Sequence, residues 1–297
     1  MTTAAQPVAV PAGRLLVRSA RDRRRALVDR AFRALSLGAA ILGVVPLAAI
    51  VVFVTVNGIG AVNLDLLTRP PRALGTGGGA VAAILGSLQL VGLATLMAVP
   101  VGILAGVYVG EFSGRRSARV IRFAADVLVG VPSILVGIFV FTFLVLPFRQ
   151  FNAFAGSVAL AVIMVPVIMR TTEEMLRLVH STLREASLAL GIPVWRTVLS
   201  VVLPTALSGI LTGVMLAVAR AAGETAPLLF TALGSRLVNV GDLSRPMDAL
   251  PIFIYNNARQ PYEALNSQAW GAAFLLLVFV LAINVLVRFR SWGRRAG

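Results

Sequence analysis

The chain has 297 residues, 58% of them hydrophobic and only 13% charged, with a formal net charge of +15; a soluble domain carries about twice that charged share. A mean hydropathy of +0.89 places it among integral membrane proteins. All 27 basic residues are arginine, cysteine is absent and His180 is the one histidine, which excludes a Walker A loop for want of its lysine. The same counts exclude disulfides, cysteine-ligated zinc or iron–sulfur clusters and a His-rich metal site.

Residues 1–13 have no periodicity and read as disordered. Eight arginines lie between Arg14 and Arg33, ahead of a charge-free apolar run over 34–56. That run is too long for the apolar region of a cleaved signal peptide and lacks a clear small-residue cleavage site, so it reads as an uncleaved first span. Further runs long enough to cross about 30 Å of hydrocarbon cover 80–109, 127–147, 152–169 and 270–287, and a sixth, 206–233, is interrupted by Arg220 and Glu224. Residues 57–79 form a Gly- and Pro-rich connector ending in TGGG. The longer segment 235–268 mixes charge with apolar residues and contains Pro246, Pro251 and Pro261, as a docking surface or gate would.

The arginines separate by side. Twenty flank one set of ends (before span 1, and after spans 2, 4 and 6), against six (Arg69, Arg72, Arg149, Arg236, Arg245 and Arg259) on the other. The positive-inside rule puts both termini in the cytoplasm. The basic excess is therefore a topology and lipid-headgroup signal, and no nucleic-acid partner is implied.

Residues 170–205 place Glu173, Glu174 and Arg177 at helical spacing opposite Leu176 and Val179, continuing through Leu183, Leu190, Val194 and Val198. This pattern predicts short amphipathic helices at the membrane surface, bent at Gly191 and Pro193, with His180 on the polar face. EASLALG at 185–191, nine further residues, then Val201, one residue, Leu203 and Pro204, resembles the EAA loop of ABC-importer permeases. Ser187 stands where that family usually has alanine, and Val201 where it has isoleucine. The resemblance implies that the loop docks on a separate ATPase subunit, with Glu185, Ala186 and Gly191 at characteristic positions and Trp195 and Arg196 on the inserted segment.

GVPSILVGIF (130–139), TEEMLR (172–177), ARAAGETAPLLFTALG (219–234), MDALPIFIY (247–255) and AWGAAFLLL (269–277) narrow the resemblance to phosphate-specific permeases of the PstA type. This implies a homologous second permease (PstC type), two ATPase subunits and an extracytoplasmic phosphate-binding protein as partners, in the bacterial inner membrane.

An arginine or an acid at the centre of a membrane helix costs about 2.5–3.5 kcal/mol. Arg220 and Glu224 are i, i+4, within reach of each other; Gly209, Gly213 and Ala217 continue their face as a small-residue ladder that admits another helix. Gly223 and Pro227 weaken the helix between them, as at many ion sites. Two readings stand: an ion pair locking the span to its neighbours, or an anion site in which Arg220 grips two oxygens of phosphate while Glu224 positions it and weakens binding enough for release. The GETAP resemblance implies the second, with Thr225 in the same segment. Ser133, after Pro132, is a candidate hydroxyl or hinge in span 3.

No nucleophile–base pair or carboxylate cluster suggests bond chemistry, so no catalytic residue, metal or cofactor is expected and ATP hydrolysis falls to a separate subunit. The expected fold is an all-α six-span permease of the type I ABC-importer (MetI-like) kind, with a peripheral first span. Its parts are a cytoplasmic N-terminus (1–30), a membrane domain (31–290) with a coupling loop at 172–205, and a tail (291–297). The alternatives are the same architecture moving sulfate or molybdate, and a proton-coupled transporter or channel using Arg220 and Glu224 as a relay.

Overall fold

The computed structural model describes residues 20–72 and 78–293; residues 1–13 and the Thr76–Gly77 part of the glycine run lie outside the described residues. The described chain is helical apart from turns and one isolated bridge, Leu233 to Met247. It divides into two units at Phe53/Val54. The first is carried by α1 (Ala20–Gly58), which continues through Pro46 and is exposed along 27–50.

The second unit contains α2 (Leu64–Thr68), α3 (Val81–Glu111), α4 (Arg116–Gly130), α5 (Ser133–Val140), α6 (Ala153–Arg177), α7 (Ser181–Ala189), α8 (Val194–Thr197), α9 (Leu203–Gly223), α10 (Ala226–Thr231), α11 (Leu250–Ala258) and α12 (Glu263–Gly293). α6 is its central span: 61% of its most apolar stretch is buried, against 33% for α3 and 17% for α12. Helix association in lipid rests on close packing, since lipid tails are as apolar as leucine. Both neighbours of α6 accordingly approach it through glycines. A Cβ on Gly106 of α3 would lie 2.6 Å from Thr172 Cβ, and one on Gly213 of α9 would lie 2.2 Å from Thr171 Cγ2. Leu160, Met164 and Ile168 of α6 fill the core between.

Five helices are long and apolar enough to cross a membrane, and α4 with the segment Ser133–Val145 makes a sixth only as a pair bent by 105°. The expected span over 127–147 is thus a bent one, broken at the Pro132 hinge candidate. Val131 and Pro132 are extended (ψ 129° and 132°), because proline drives its predecessor out of the helical region and offers no N–H to continue the ladder. The 13 residues beyond the bend reach about 20 Å, short of a full crossing, while α4 is an amphipathic helix carrying Arg116, Arg119 and Arg122.

α11 is tucked against the start of α3: Ser87 Oγ accepts from the N–H of Leu250 at 2.7 Å, and Gly86 leaves room for the Asp248 carbonyl. Part of the segment 235–268, expected as a docking surface or gate, is thus a helix with Leu250, Ile252 and Phe253 buried.

Candidate transport site and coupling surface

α9 ends at Gly223, Glu224 is extended (φ −74°, ψ 121°), and α10 restarts with Pro227 in its first turn, where the missing N–H costs nothing. The break expected from Gly223 and Pro227 is present. Arg220 occupies the last turn of α9, where a cation complements the helix dipole. Its Nε donates to Glu224 Oε1 at 3.4 Å, long for a charged pair. The Arg220 side chain is 48% exposed and that of Glu224 17%, and no second hydrogen bond to this guanidinium is found among the described residues. The fork is held at one nitrogen and open at the rest.

The small-residue ladder and the charged pair part company. Gly209 and Gly213 pack on Met175 and Thr171 of α6, and Ala217 and Ala221 are buried. Each step of four residues advances about 40° around the helix, so the packed arc rotates away and leaves Arg220 at its edge. Arg220 consequently opens from the packed face instead of lying within it. The second interrupted segment, α5, sits against the first: a Cβ on Gly137 would come 2.6 Å from Pro227 Cα. Ser133 is half-buried in the first turn of α5, and no hydrogen bond joins it to Arg220 or Glu224 among the described residues. Thr225 is half-buried at the break itself.

Between α6 and α9, α7 and α8 form a helical hairpin turned by Gly191, whose φ of +77° favours glycine. Ser187 and Thr197, both buried, close it with a 2.9 Å hydroxyl hydrogen bond. Glu185, Ala186, Gly191 and Arg196 are exposed on this hairpin with His180 at its start. Trp195 (65%) and Leu190 (80%) are apolar side chains left outside.

Residues 98–290 match the family described as binding-protein-dependent transport system inner membrane component. The chain belongs to this permease family. Its PstA relatives include the phosphate transport system permease protein of Haemophilus influenzae, 42% identical over 86% of this chain and 90% of that one. PstA 1 of Mycobacterium tuberculosis H37Rv is 43% identical over 73% of this chain and 72% of its own length. Among solved structures, the inward-facing MetNI methionine ABC transporter superposes with a TM-score of 0.57 at 19% identity, covering 71% of this chain and 92% of that one. That likeness supports the permease fold alone.

Within the permease, one expectation for 170–205 is corrected. α6 runs unbroken to Arg177, and Glu173, expected on a solvated polar face, is 1% exposed. Its carboxylate collects Arg122 of α4 (Nε to Oε1, 2.8 Å), Arg177 (2.6 Å) and Arg170 (3.3 Å), and Arg170 also pairs with Asp126. Three arginine partners offset the desolvation that a lone buried carboxylate would suffer. Glu111, at the end of α3, accepts from Arg184 of α7 at 2.5 Å, and Arg184 also donates to the Leu176 carbonyl at 2.9 Å. These pairs tie the hairpin to α3 and α6. The i, i+3 and i, i+4 spacing of Arg170, Glu173 and Arg177 signals part of the cluster in the sequence; Arg122 and Glu111 carry no local signal.

Proposed function

We infer that this chain is the membrane-spanning permease subunit of an ATP-driven importer of inorganic phosphate. The observation that carries the reading at the level of residues is the half-exposed guanidinium of Arg220, held loosely at the break between α9 and α10. A guanidinium stays charged at any physiological pH and presents a planar fork to two phosphate oxygens. Glu224 takes the fork when the path is empty and competes for it when phosphate is bound, which keeps the site weak enough to release its ion. Thr225 adds a hydroxyl at the break, and Ser133 lines the neighbouring interrupted segment.

The sequence has no lysine for a Walker A loop, and ATP hydrolysis falls to a separate subunit docked on the α7–α8 hairpin through Glu185, Ala186, Gly191, Trp195 and Arg196. One hairpin per chain makes half a transporter. The other half is a homologous permease of the PstC type, above two ATPase subunits and below an extracytoplasmic phosphate-binding protein. Closure of the ATPase pair on ATP displaces the hairpin. The Glu111–Arg184 link and the Glu173 cluster transmit that displacement to α3, α4 and α6, and the pathway beside Arg220 changes side.

The test is Arg220→Gln in the assembled transporter. Phosphate uptake is expected to collapse with subunit assembly intact; uptake at the parental rate removes Arg220 from the pathway. Uptake by the isolated chain under a pH gradient without ATP contradicts the ATP-driven mechanism.

A further inference from the structure

A second cluster of anion-binding groups lines a cavity to which Arg220 does not contribute. On the outer face of the second unit a cavity of about 360 Å³ is lined by Arg72, Arg236, Asp248, Asn256, Asn257 and Gln268 among others. Three chain segments build it: the connector before α3, the turn after α10, and α11 with the start of α12.

Its two arginines differ from most of their outer neighbours. Arg69 pairs with Asp65, Arg245 with Asp242, and Arg259 with the Tyr255 hydroxyl. Arg72 and Arg236 are exposed, and neither has a hydrogen bond or ion pair among the described residues. Two uncommitted guanidinium groups on one concave wall focus positive potential into it. The side-chain amides beside them can donate to any oxyanion.

Asp248 makes the cavity selective. It is 7% exposed, and only Ala249 N–H, at 3.0 Å, donates to it among the described residues. Gly234, at φ +88°, brings the wall close to the same carboxyl: a Cβ there would stand 3.3 Å from Oδ1. Burial raises the Asp248 carboxyl to about 7, so it is ionised only above that pH, where phosphate still carries one P–OH as hydrogen phosphate. An ionised carboxylate only accepts hydrogen bonds. A tetrahedral anion meets it favourably only by bringing a proton of its own, as the P–OH of hydrogen phosphate does. Sulfate has no such proton, nor has the phosphodiester of a lipid headgroup.

We propose that this outer cavity is a receiving site for inorganic phosphate, in which Arg72 and Arg236 hold the anion and Asp248 accepts the hydrogen bond of its P–OH group. The volume holds about a dozen waters at about 30 Å³ each, so phosphate enters with part of its hydration shell. Delivery from this site to Arg220 rests on the importer reading above; the binding itself does not.

The test uses the whole transporter at about pH 8.5, where Asp248 is ionised, in a phosphorus-free detergent without binding protein or ATP, read by ³¹P line broadening of inorganic phosphate. Saturable broadening is expected with the parental complex and with Arg220→Gln, and a loss of about tenfold or more in affinity with Arg72→Gln/Arg236→Gln. Dimethyl phosphate and sulfate are expected not to displace phosphate from the parental site. Sulfate is expected to displace it from Asp248→Asn, where an amide donor replaces the carboxylate. Parental broadening in the double arginine variant, loss of broadening in Arg220→Gln, or displacement by dimethyl phosphate as effective as by phosphate itself overturns the proposal. The arginine arm stands alone if Asp248→Asn fails to assemble. Failure of the parental transporter to import phosphate contradicts the functional reading instead, whatever the cavity binds.

Discussion

Glu173→Gln isolates what the buried charge cluster contributes. Glu173 is 1% exposed and is the common partner of Arg122, Arg170 and Arg177. With the charge gone, Arg170 keeps Asp126, and Arg177, 55% exposed, is solvated. Arg122 is the residue left stranded: its side chain is 22% exposed, and no other acid pairs with it among the described residues. Breaking one side of a buried pair costs about 3–5 kcal/mol, and the partial exposure of Arg122 puts this case near the lower end. About 3 kcal/mol corresponds to a fall of about 5 °C in the thermal midpoint of a 297-residue chain. Heating the purified complex and following its loss by size-exclusion chromatography gives that midpoint. Glu174→Gln, one residue along and exposed, is the control and should shift it by less than about 0.5 kcal/mol. Adding Arg122→Gln to Glu173→Gln removes the stranded cation and should recover most of the loss. Equal midpoints for Glu173→Gln and Glu174→Gln refute the assignment of Glu173 as the hub.

Gly191→Ala, at φ +77° with open space around its Cβ, should cost about 1 kcal/mol of backbone strain, seen as weaker ATPase retention on co-purification. Gly213→Leu drives a side chain into Thr171, 2.2 Å from where its Cβ begins; overpacking should cost about 1–3 kcal/mol or more, read as a lower thermal midpoint, while Gly223→Leu, with nothing nearby, should not show that packing loss. The raised carboxyl of Asp248 makes the folded state hold a proton that the unfolded chain has released. Stability from this group should therefore fall as pH rises from about 4 to about 7, by at most about 1.4 kcal/mol per unit. In thermal scans across that range Asp248→Asn should lose this slope and exceed the parental protein at pH 8.

The parts of the fold legible in the sequence were those written in local pattern. Charge-free runs marked the long spans, and the glycine spacing at Gly209 and Gly213 marked a face that does pack on α6. Gly223 and Pro227 announced the break after α9 because each acts on its own backbone. The bend at Val131–Pro132 was harder: one proline signals an interruption, but a uniformly apolar run carries no information about direction. Glu173 was misjudged because a charged side chain reads as solvated unless its partners are known, and Arg122 lies 51 residues away. The outer cavity could not be read at all, since it forms only when Arg72, Arg236 and Asp248 are brought together from distant segments.

The central claim is that the Arg220 fork meets phosphate in the pathway. Its most direct test is radiolabelled phosphate uptake by the reconstituted transporter carrying Arg220→Gln, with ATP hydrolysis stimulated by the binding protein measured in the same vesicles. Loss of one or two charge-assisted hydrogen bonds, each about 1.5–3 kcal/mol, predicts uptake lowered by about tenfold or more while stimulated hydrolysis persists. Uptake and hydrolysis both at parental levels would contradict the account.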